Sequence, residues 1–275
     1  MKIFINEKEY EEKEGVTLFK VVKKYKADSD VIVVNSFQEK KDRELMPNDR
    51  ITLIKKGENL NKEEIEKLMI SRSNMEVVKD LQKSTIGIAG VGGLGSTIAI
   101  ALARTFVKKL VIADYDVVEP SNLNRQQYFI NDLGKLKTEA IKSHIEAINP
   151  FIEIEIKNIY LKKSNVIDTF KECDIVIEAF DNAKNKAMLI NELLLNSNSV
   201  VISGNGMAGY FSSNSIKTKR VSSRFYICGD GVSEAKEKEK SGLMAPRVLI
   251  VAGHIANTVI RIITGEINKG EDYNE

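Results

Sequence analysis

Several protein classes are excluded by what this sequence has little of. Its 275 residues hold two cysteines, Cys173 and Cys228, 55 positions apart. That number and spacing exclude a disulfide scaffold, a Cys-x-x-Cys redox pair and a four-cysteine zinc site. An excess of one charge is also lacking: 41 Lys and Arg against 39 Asp and Glu leave a formal net charge of +2. A balance so close to neutral argues against a nucleic-acid coat or a polybasic membrane anchor, so neither nucleic acid nor a membrane is expected as a partner. No signal peptide and no internal repeat is expected, and with so little cysteine the expected compartment is the cytoplasm. One uncharged run, residues 84–103, has about the length of a membrane helix. It contains Gly87, Gly90, Gly92, Gly93 and Gly95, with Ser96 and Thr97 directly after. Glycines at that density predict a strand, a loop and a helix start in place of a span.

What is present is an ordinary globular composition, 43% hydrophobic and 29% charged. The length suits one large domain, or a domain of about 200 residues with a small appendage. Residues 1–57 form the appendage. An alternating strand over 1–6, a turn and a return strand over 10–13 precede a helix over 18–25. In that helix Leu18, Val21, Val22 and Tyr25 fall on one inward face. Buried strands follow at 31–34 and 51–54, with Pro47-Asn48-Asp49 as a turn. This order predicts a small β-grasp unit; the alternative is that its strands edge the main sheet. Residues 58–83 are charged and helix-forming, with Ile65, Leu68 and Met69 as an apolar stripe on a docking connector. From residue 84 strands alternate with helices, which predicts a doubly wound, mostly parallel α/β sheet over 84–275. Residues 207–227 are expected to add antiparallel strands to it, and 230–241 to form a charged loop.

The strongest chemical signal is Gly90-Val91-Gly92-Gly93-Leu94-Gly95, between a strand and a helix. Glycines there allow a tight turn and let backbone N–H groups approach phosphate oxygens at the positive end of the helix. Asp114, 24 residues after Gly90, ends the next strand, where a carboxylate reaches ribose hydroxyls. The bland reading is a glycine turn needed only for close helix–strand packing, and the motif by itself does not separate NAD, FAD and ATP. The following residues do. Asn122 and Arg125 lie just beyond the second strand, Lys137 on the next helix and Asp181 past a later strand. In a doubly wound sheet these positions converge on one crevice. Arg and Lys there suit a triphosphate, and a carboxylate suits Mg²⁺. A nicotinamide or flavin oxidoreductase, the rival class, needs neither, and no hydride-relay histidine stands out. His144 and His254 are read as core or surface residues.

In motif order the chain resembles the ThiF/MoeB/HesA adenylyltransferases, the bacterial relatives of ubiquitin-activating enzymes. The resemblance rests on the glycine run, Asp114-x-Asp116-x-Val118, Ser121-Asn122-Leu123-Asn124-Arg125-Gln126, Lys137, Asp181-Asn182 and Gly242-Leu243-Met244-Ala245-Pro246. It covers roughly residues 86–264 and looks closest to the thiamine-pathway branch, while residues 1–57 resemble the small sulfur carrier that such enzymes activate. The resemblance implies ATP and Mg²⁺ as cofactors, a homodimer, and a partner carrier protein ending in Gly-Gly whose terminal carboxylate is adenylated. Carried over by motif, Gly90, Gly92, Gly93 and Gly95 would hold phosphates, and Asp114 with Asp116 the nucleoside. Asn122, Arg125 and Lys137 would neutralise developing charge, Asp181 would organise Mg²⁺, and Arg72 would serve as the arginine from before the glycine loop. The family's two Cys-x-x-Cys pairs are missing, so no zinc is expected. Cys228 is weighed as a sulfur-transfer thiol against a buried structural one, with burial preferred. The loop over 234–240 is a candidate lid. The carrier-like segment runs on past Gly57, so it has no free Gly-Gly terminus and is read as a fused, non-reactive module. A carrier-binding protein without catalysis is the remaining alternative.

Overall fold

The structure, a computed structural model, describes residues 1–59, 61–71, 73–234 and 242–268. It divides into two compact units, Met1–Lys79 and the chain from Asp80 onward. The first unit holds β1 (Lys2–Ile5), β2 (Lys8–Glu11), α1 (Leu18–Tyr25), β3 (Val31–Val34), β4 (Phe37–Gln38) and β5 (Arg50–Ile54). Its sheet runs β2-β1-β5-β3-β4, with β1 and β5 parallel and the other pairs antiparallel. Both hairpins turn on two residues with positive φ, Asn6-Glu7 and Asn35-Ser36, the conformation that matches the right-handed twist of paired strands. Leu18, Val21 and Val22 of α1 pack on Ile3, Ile5, Ile51 and Leu53, closing the β-grasp core as its periodicity predicts. Strand β4 escaped the sequence reading because Phe37 and Gln38 are both exposed and too few to alternate.

Beyond β5, Asp30 accepts the Lys56 amide at 2.7 Å and Asn61 caps α2 (Lys62–Ile70) through a capping box with Glu64. A second helix, α3 (Met75–Leu81), begins after a break. The expected stripe is displaced: Ile65 is exposed, Leu68 and Met69 are half-buried, and Ile70 is the buried residue of α2. Burial in this short helix thus falls on its C-terminal turn and not on the centre of the periodic pattern. Arg72 lies outside the described residues.

The second unit contains β6 (Thr85–Ala89), α4 (Gly93–Ala103), β7 (Lys109–Asp114), α5 (Lys137–Ile148), β8 (Glu153–Asn158), α6 (Val166–Phe170) and β9 (Ile175–Glu178). It continues with α7 (Ala183–Asn196), β10 (Val200–Gly204), β11 (Lys217–Ser222), β12 (Phe225–Gly229) and α8 (Ala245–Ile263). The sheet order is β11-β12-β10-β9-β6-β7-β8. Every residue of β6 and β9 is buried, as central parallel strands covered on both faces require. The expected antiparallel extension is present as the terminal pair β11–β12. Strand β12 pairs in parallel with β10, and β11 alone is antiparallel. Because β11 makes the return pass along the outer edge, β12 re-enters in the direction of β10. Helix α8 is long and apolar enough to cross a membrane by length and composition, yet Val248, Val251, Ile255 and Val259 are buried in the core of this unit.

Two arrangements in this unit make its stability sensitive to acid. Hydrogen bonds from Lys109 and Lys157 hold the Glu155 carboxyl at about 2, against an ordinary 4.5. Burial pushes the His254 imidazole below its ordinary 6.5. Both groups bind protons more weakly when folded, so each stabilises the fold above its unfolded pKa and loses that contribution as pH falls. The thermal midpoint is therefore expected to drop first as pH falls through the region just below 6.5, and again between 4.5 and 2. Melting curves against pH for His254→Gln and Glu155→Gln test this, since each variant should flatten its own step.

Candidate active site

A cleft of 520 Å³ opens at the carboxyl ends of β6 to β10, where an open α/β sheet binds ligands. At its centre is the glycine turn. Gly90 leaves β6 with φ +89°, and its amide donates to the Ala113 carbonyl at 2.8 Å. A Cβ on Gly95 would lie 1.9 Å from the Gly90 carbonyl oxygen, so Gly95 is there for the close approach of helix and turn and does not itself line the cleft. Gly92 is the N-cap of α4 and offers no side chain to the first-turn amides. Those amides, with the positive end of the helix behind them, form a place for an anion.

Asp114 ends β7 beside this turn. Its Oδ2 accepts the Val91 amide at 2.7 Å and its Oδ1 the Asp116 amide at 2.8 Å, which fixes the carboxylate at the cleft wall. Lys137 begins α5 and meets Asp116 twice: its amide donates to the Asp116 carbonyl at 2.9 Å, and its ammonium to the carboxylate at 2.8 Å. The Lys137 side chain is only 8% exposed, whereas a free ammonium on a helix surface would be solvated. Tyr128, buried, holds the two sides together, its hydroxyl donating to the Val91 carbonyl at 2.7 Å and lying 3.3 Å from the Lys137 carbonyl. Burial pushes its phenol far above the usual tyrosine range, so it stays neutral. Arg125 reaches the cleft with its guanidinium on the Ser121 carbonyl and the Asn124 amide oxygen. Asp181, exposed, stands just beyond β9 on the cleft rim.

The structure thus gathers Gly90, Gly92, Gly93, Asp114, Asp116, Arg125, Lys137 and Asp181 around one cavity. Asn122 stands apart. It is buried, does not line the cleft, and accepts the Glu119 amide at 3.1 Å to close the single 3₁₀ turn Pro120–Asn122. Cys228 is fully buried, 3.4 Å from the Thr218 hydroxyl, and burial raises its thiol, all unfavourable to a nucleophile. Cys173 is buried as well, its thiol pushed up to about 12. Neither histidine lines the cleft: His144 bridges Asp132 and the Gln127 carbonyl, and His254 meets the Thr218 hydroxyl.

Four residues were given no role in the sequence reading. Tyr115 and Tyr160 meet edge to face at 4.9 Å on the cleft wall, an aromatic surface fit for a flat base. Glu178, fully buried at the end of β9, accepts the Phe180 amide at 2.7 Å and the Ser203 hydroxyl at 2.6 Å, and pairs with Lys186. A carboxylate inside an otherwise apolar strand was the available signal. Gln126 lines the cleft 92% buried, and its Oε1 has no hydrogen-bond partner among the described residues. A buried carboxamide oxygen left unpaired in a glycine-floored cleft fits a ligand that would complete it.

A glycine turn opening a helix, a carboxylate closing the next strand and cations converging on the same crevice define a nucleotide-binding α/β protein of the doubly wound class. The chain belongs to the ThiF family, which matches residues 66–275, and residues 1–57 match the ThiS-like ubiquitin family. Among curated relatives, the probable adenylyltransferase/sulfurtransferase MoeZ of Mycobacterium tuberculosis is 33% identical over 135 residues, which is 47% of this chain and 34% of that protein. The tRNA threonylcarbamoyladenosine dehydratase of Haemophilus influenzae is 37% identical over 112 residues, 40% of this chain and 43% of that one. The aligned stretch is thus about a third of the length of the MoeZ relative. Among solved structures, the Escherichia coli tRNA N6-threonylcarbamoyladenosine dehydratase in complex with AMP superposes with a TM-score of 0.65 at 18% identity, over 73% of this chain and 94% of that one. E. coli MccB with ATP does so at 0.54 and 24%, over 75% and 64%. At these identities the structures establish a shared fold.

Proposed function

We propose that this protein uses ATP to adenylate the C-terminal glycine carboxylate of a small β-grasp sulfur carrier of the thiamine-pathway type. The carrying observation is the joint placement of Arg125, Lys137 and Asp181 around a glycine-floored cleft, a set that suits a triphosphate and exceeds what a dinucleotide needs. The fused ThiS-like unit supports a protein acceptor of β-grasp type.

In the proposed reaction a carboxylate oxygen of the acceptor forms a bond to the α-phosphorus of ATP. The bond from that phosphorus to the bridging oxygen breaks, and pyrophosphate leaves with the electron pair. The nucleophile is already ionised at neutral pH, so no side chain has to remove a proton. Catalysis then consists of orientation and charge stabilisation. The first turn of α4 holds phosphate oxygens, Asp114 accepts from ribose hydroxyls, and Tyr115 with Tyr160 flanks the base. Arg125 and Lys137 balance charge on the departing pyrophosphate. Asp181 would hold Mg²⁺ through its carboxylate, and the ion would supply charge neutralisation for the polyphosphate. A single carboxylate such as that of Asp181 fits this mode, and among the described residues no cluster of three or more His, Cys, Asp or Glu forms a dedicated metal cage.

The test is ATP–pyrophosphate exchange with a panel of β-grasp carriers, each intact and shortened by its last two residues. Exchange is expected only with an intact terminal glycine, and is expected to be strongest with a thiamine-type carrier. Exchange indifferent to the tail, or carrier binding without exchange, would overturn the proposal in favour of another acceptor or of a regulatory carrier-binding protein.

A further inference from the structure

The cleft wall furthest from the nucleoside side is organised by a buried ion pair that the nucleotide-binding set does not use. In the strand order, residues after β8 and β7 carry the aromatic pair and Asp114, and residues after β6 and β9 carry the glycine turn and Asp181. The chain after β10 and β12 therefore lines the opposite end. There Asp230 and Arg247 meet at 2.5 Å, with side chains 5% and 3% exposed.

Each partner holds backbone from a different segment. Arg247, in the first turn of α8, donates to the Phe211 and Ser212 carbonyls at 2.7 and 3.0 Å. Asp230 Oδ1 accepts the Val232 and Ser233 amides at 2.9 and 2.8 Å, and its own amide donates to the Gly206 carbonyl at 3.0 Å. Ser233 then accepts the Ala208 amide on its hydroxyl at 3.2 Å. Gly206, Ala208 and Ser233 all line the cleft. Gly206 has φ +83°, and a Cβ there would lie 2.1 Å from Asp230 Oδ1. Although burial by itself would raise the Asp230 carboxyl, the Ser233 and Val232 amides and the Arg247 charge hold it below the usual range, so the pair stays ionised.

A buried ion pair is an inefficient source of stability, because desolvation offsets most of its attraction and an apolar pair of similar volume stabilises comparably. What an apolar pair cannot do is orient backbone groups of three segments at once. Resting on the adenylation reading above, we propose that Asp230 and Arg247 are positioning residues for the acceptor: they hold the Gly206–Ala208–Ser233 wall against which the acceptor's C-terminal tail lies when it approaches the α-phosphorus. Neither touches the reacting atoms. Their effect belongs to acceptor recognition, not to nucleotide affinity.

The test compares wild type, Arg247→Met, and the paired neutral replacement Asp230→Asn with Arg247→Met, which leaves no unbalanced buried charge. Three readouts are taken: ATP dissociation constant, carrier KM in pyrophosphate exchange, and amide hydrogen exchange at Ala208, Val232 and Ser233 against Val91 and Gly92. In the paired variant we expect ATP affinity within twofold of wild type, carrier KM raised at least tenfold, and faster exchange confined to the three wall amides. Arg247→Lys is expected to restore part of the carrier KM. Unchanged protection at the wall amides, or carrier KM and ATP affinity shifting together, would overturn the proposal. A wild-type enzyme inert toward every carrier, with the wall amides loosened in the variant as expected, would overturn the carrier reading instead and leave the pair holding this wall for a different acceptor.

Discussion

Replacing Lys137 with Ala is expected to slow carrier-dependent ATP–pyrophosphate exchange by roughly 10²–10³-fold, the usual cost of removing one preorganised group that stabilises charge in the transition state. The expectation rests on the environment of this side chain. It is 8% exposed and held by its contact to the Asp116 carboxylate, on a backbone anchored to the Asp116 carbonyl, so little reorganisation is needed when negative charge builds on a leaving pyrophosphate. The ammonium has three donors, and Asp116 takes one of them. Asp116 is half exposed, so the truncation leaves a carboxylate that water can solvate, and the melting temperature is expected to change little. The loss should therefore appear in the exchange rate much more than in stability. Lys137→Arg keeps the charge but displaces it and should recover only part of the rate. Exchange within threefold of wild type in Lys137→Ala would remove this residue from the proposed charge-stabilising set.

Gly95→Ala is expected to have the largest structural effect of any single methyl addition in the glycine turn. The new Cβ would sit 1.9 Å from the Gly90 carbonyl oxygen and 2.9 Å from its carbon, both backbone atoms that cannot swing aside. Relief requires α4 to move off the β6 turn, and α4 carries the amides proposed to hold phosphate. Overpacking of this sort costs about 1–3 kcal/mol or more. For a domain of this size that corresponds to a melting temperature lower by roughly 2–12 °C. Nucleotide affinity should fall with it, because the amides move as a unit. Gly92→Ala is the matched comparison: the atom nearest its Cβ would be the Gln126 side-chain nitrogen at 3.8 Å, so packing is not violated. Calorimetry with and without ATP on both variants checks the pair. Equal melting temperatures for wild type and Gly95→Ala would show that the turn tolerates the displacement.

Much of the candidate site was legible because it is written in local order. The glycine run must sit between a strand and a helix to be useful, and both neighbours announce themselves by an apolar run and by a helical stretch. Asp114 and Asp181 were found because strand ends in a parallel sheet share one edge, so positions distant in sequence become neighbours once the strands are counted. Asn122 shows the limit of that reasoning. It falls at the expected point of the motif, but its side chain closes a 3₁₀ turn in this structure, and no spacing rule reports which way a side chain is used. Lys186 and Gln126 were given no role of their own because a lysine or glutamine gains meaning only from what buries it. The parallel pairing of β12 with β10 could not be read from the sequence, because it depends on the path of β11, a non-local fact.

By itself, then, the sequence determined the two-part organisation, the α/β class, the glycine turn and a cysteine content too small for a Cys-x-x-Cys pair or a four-cysteine zinc site. Each of these follows from composition, period or motif order within a few dozen residues. Only the tertiary structure decided that Cys228 is buried beside two threonine hydroxyls, that Tyr128 joins the glycine turn to Lys137, and that Asp230 and Arg247 brace the far wall of the cleft. Those contacts link residues 9 to 37 positions apart, and their energy depends on burial and geometry. Neither exists until the chain has closed around its core.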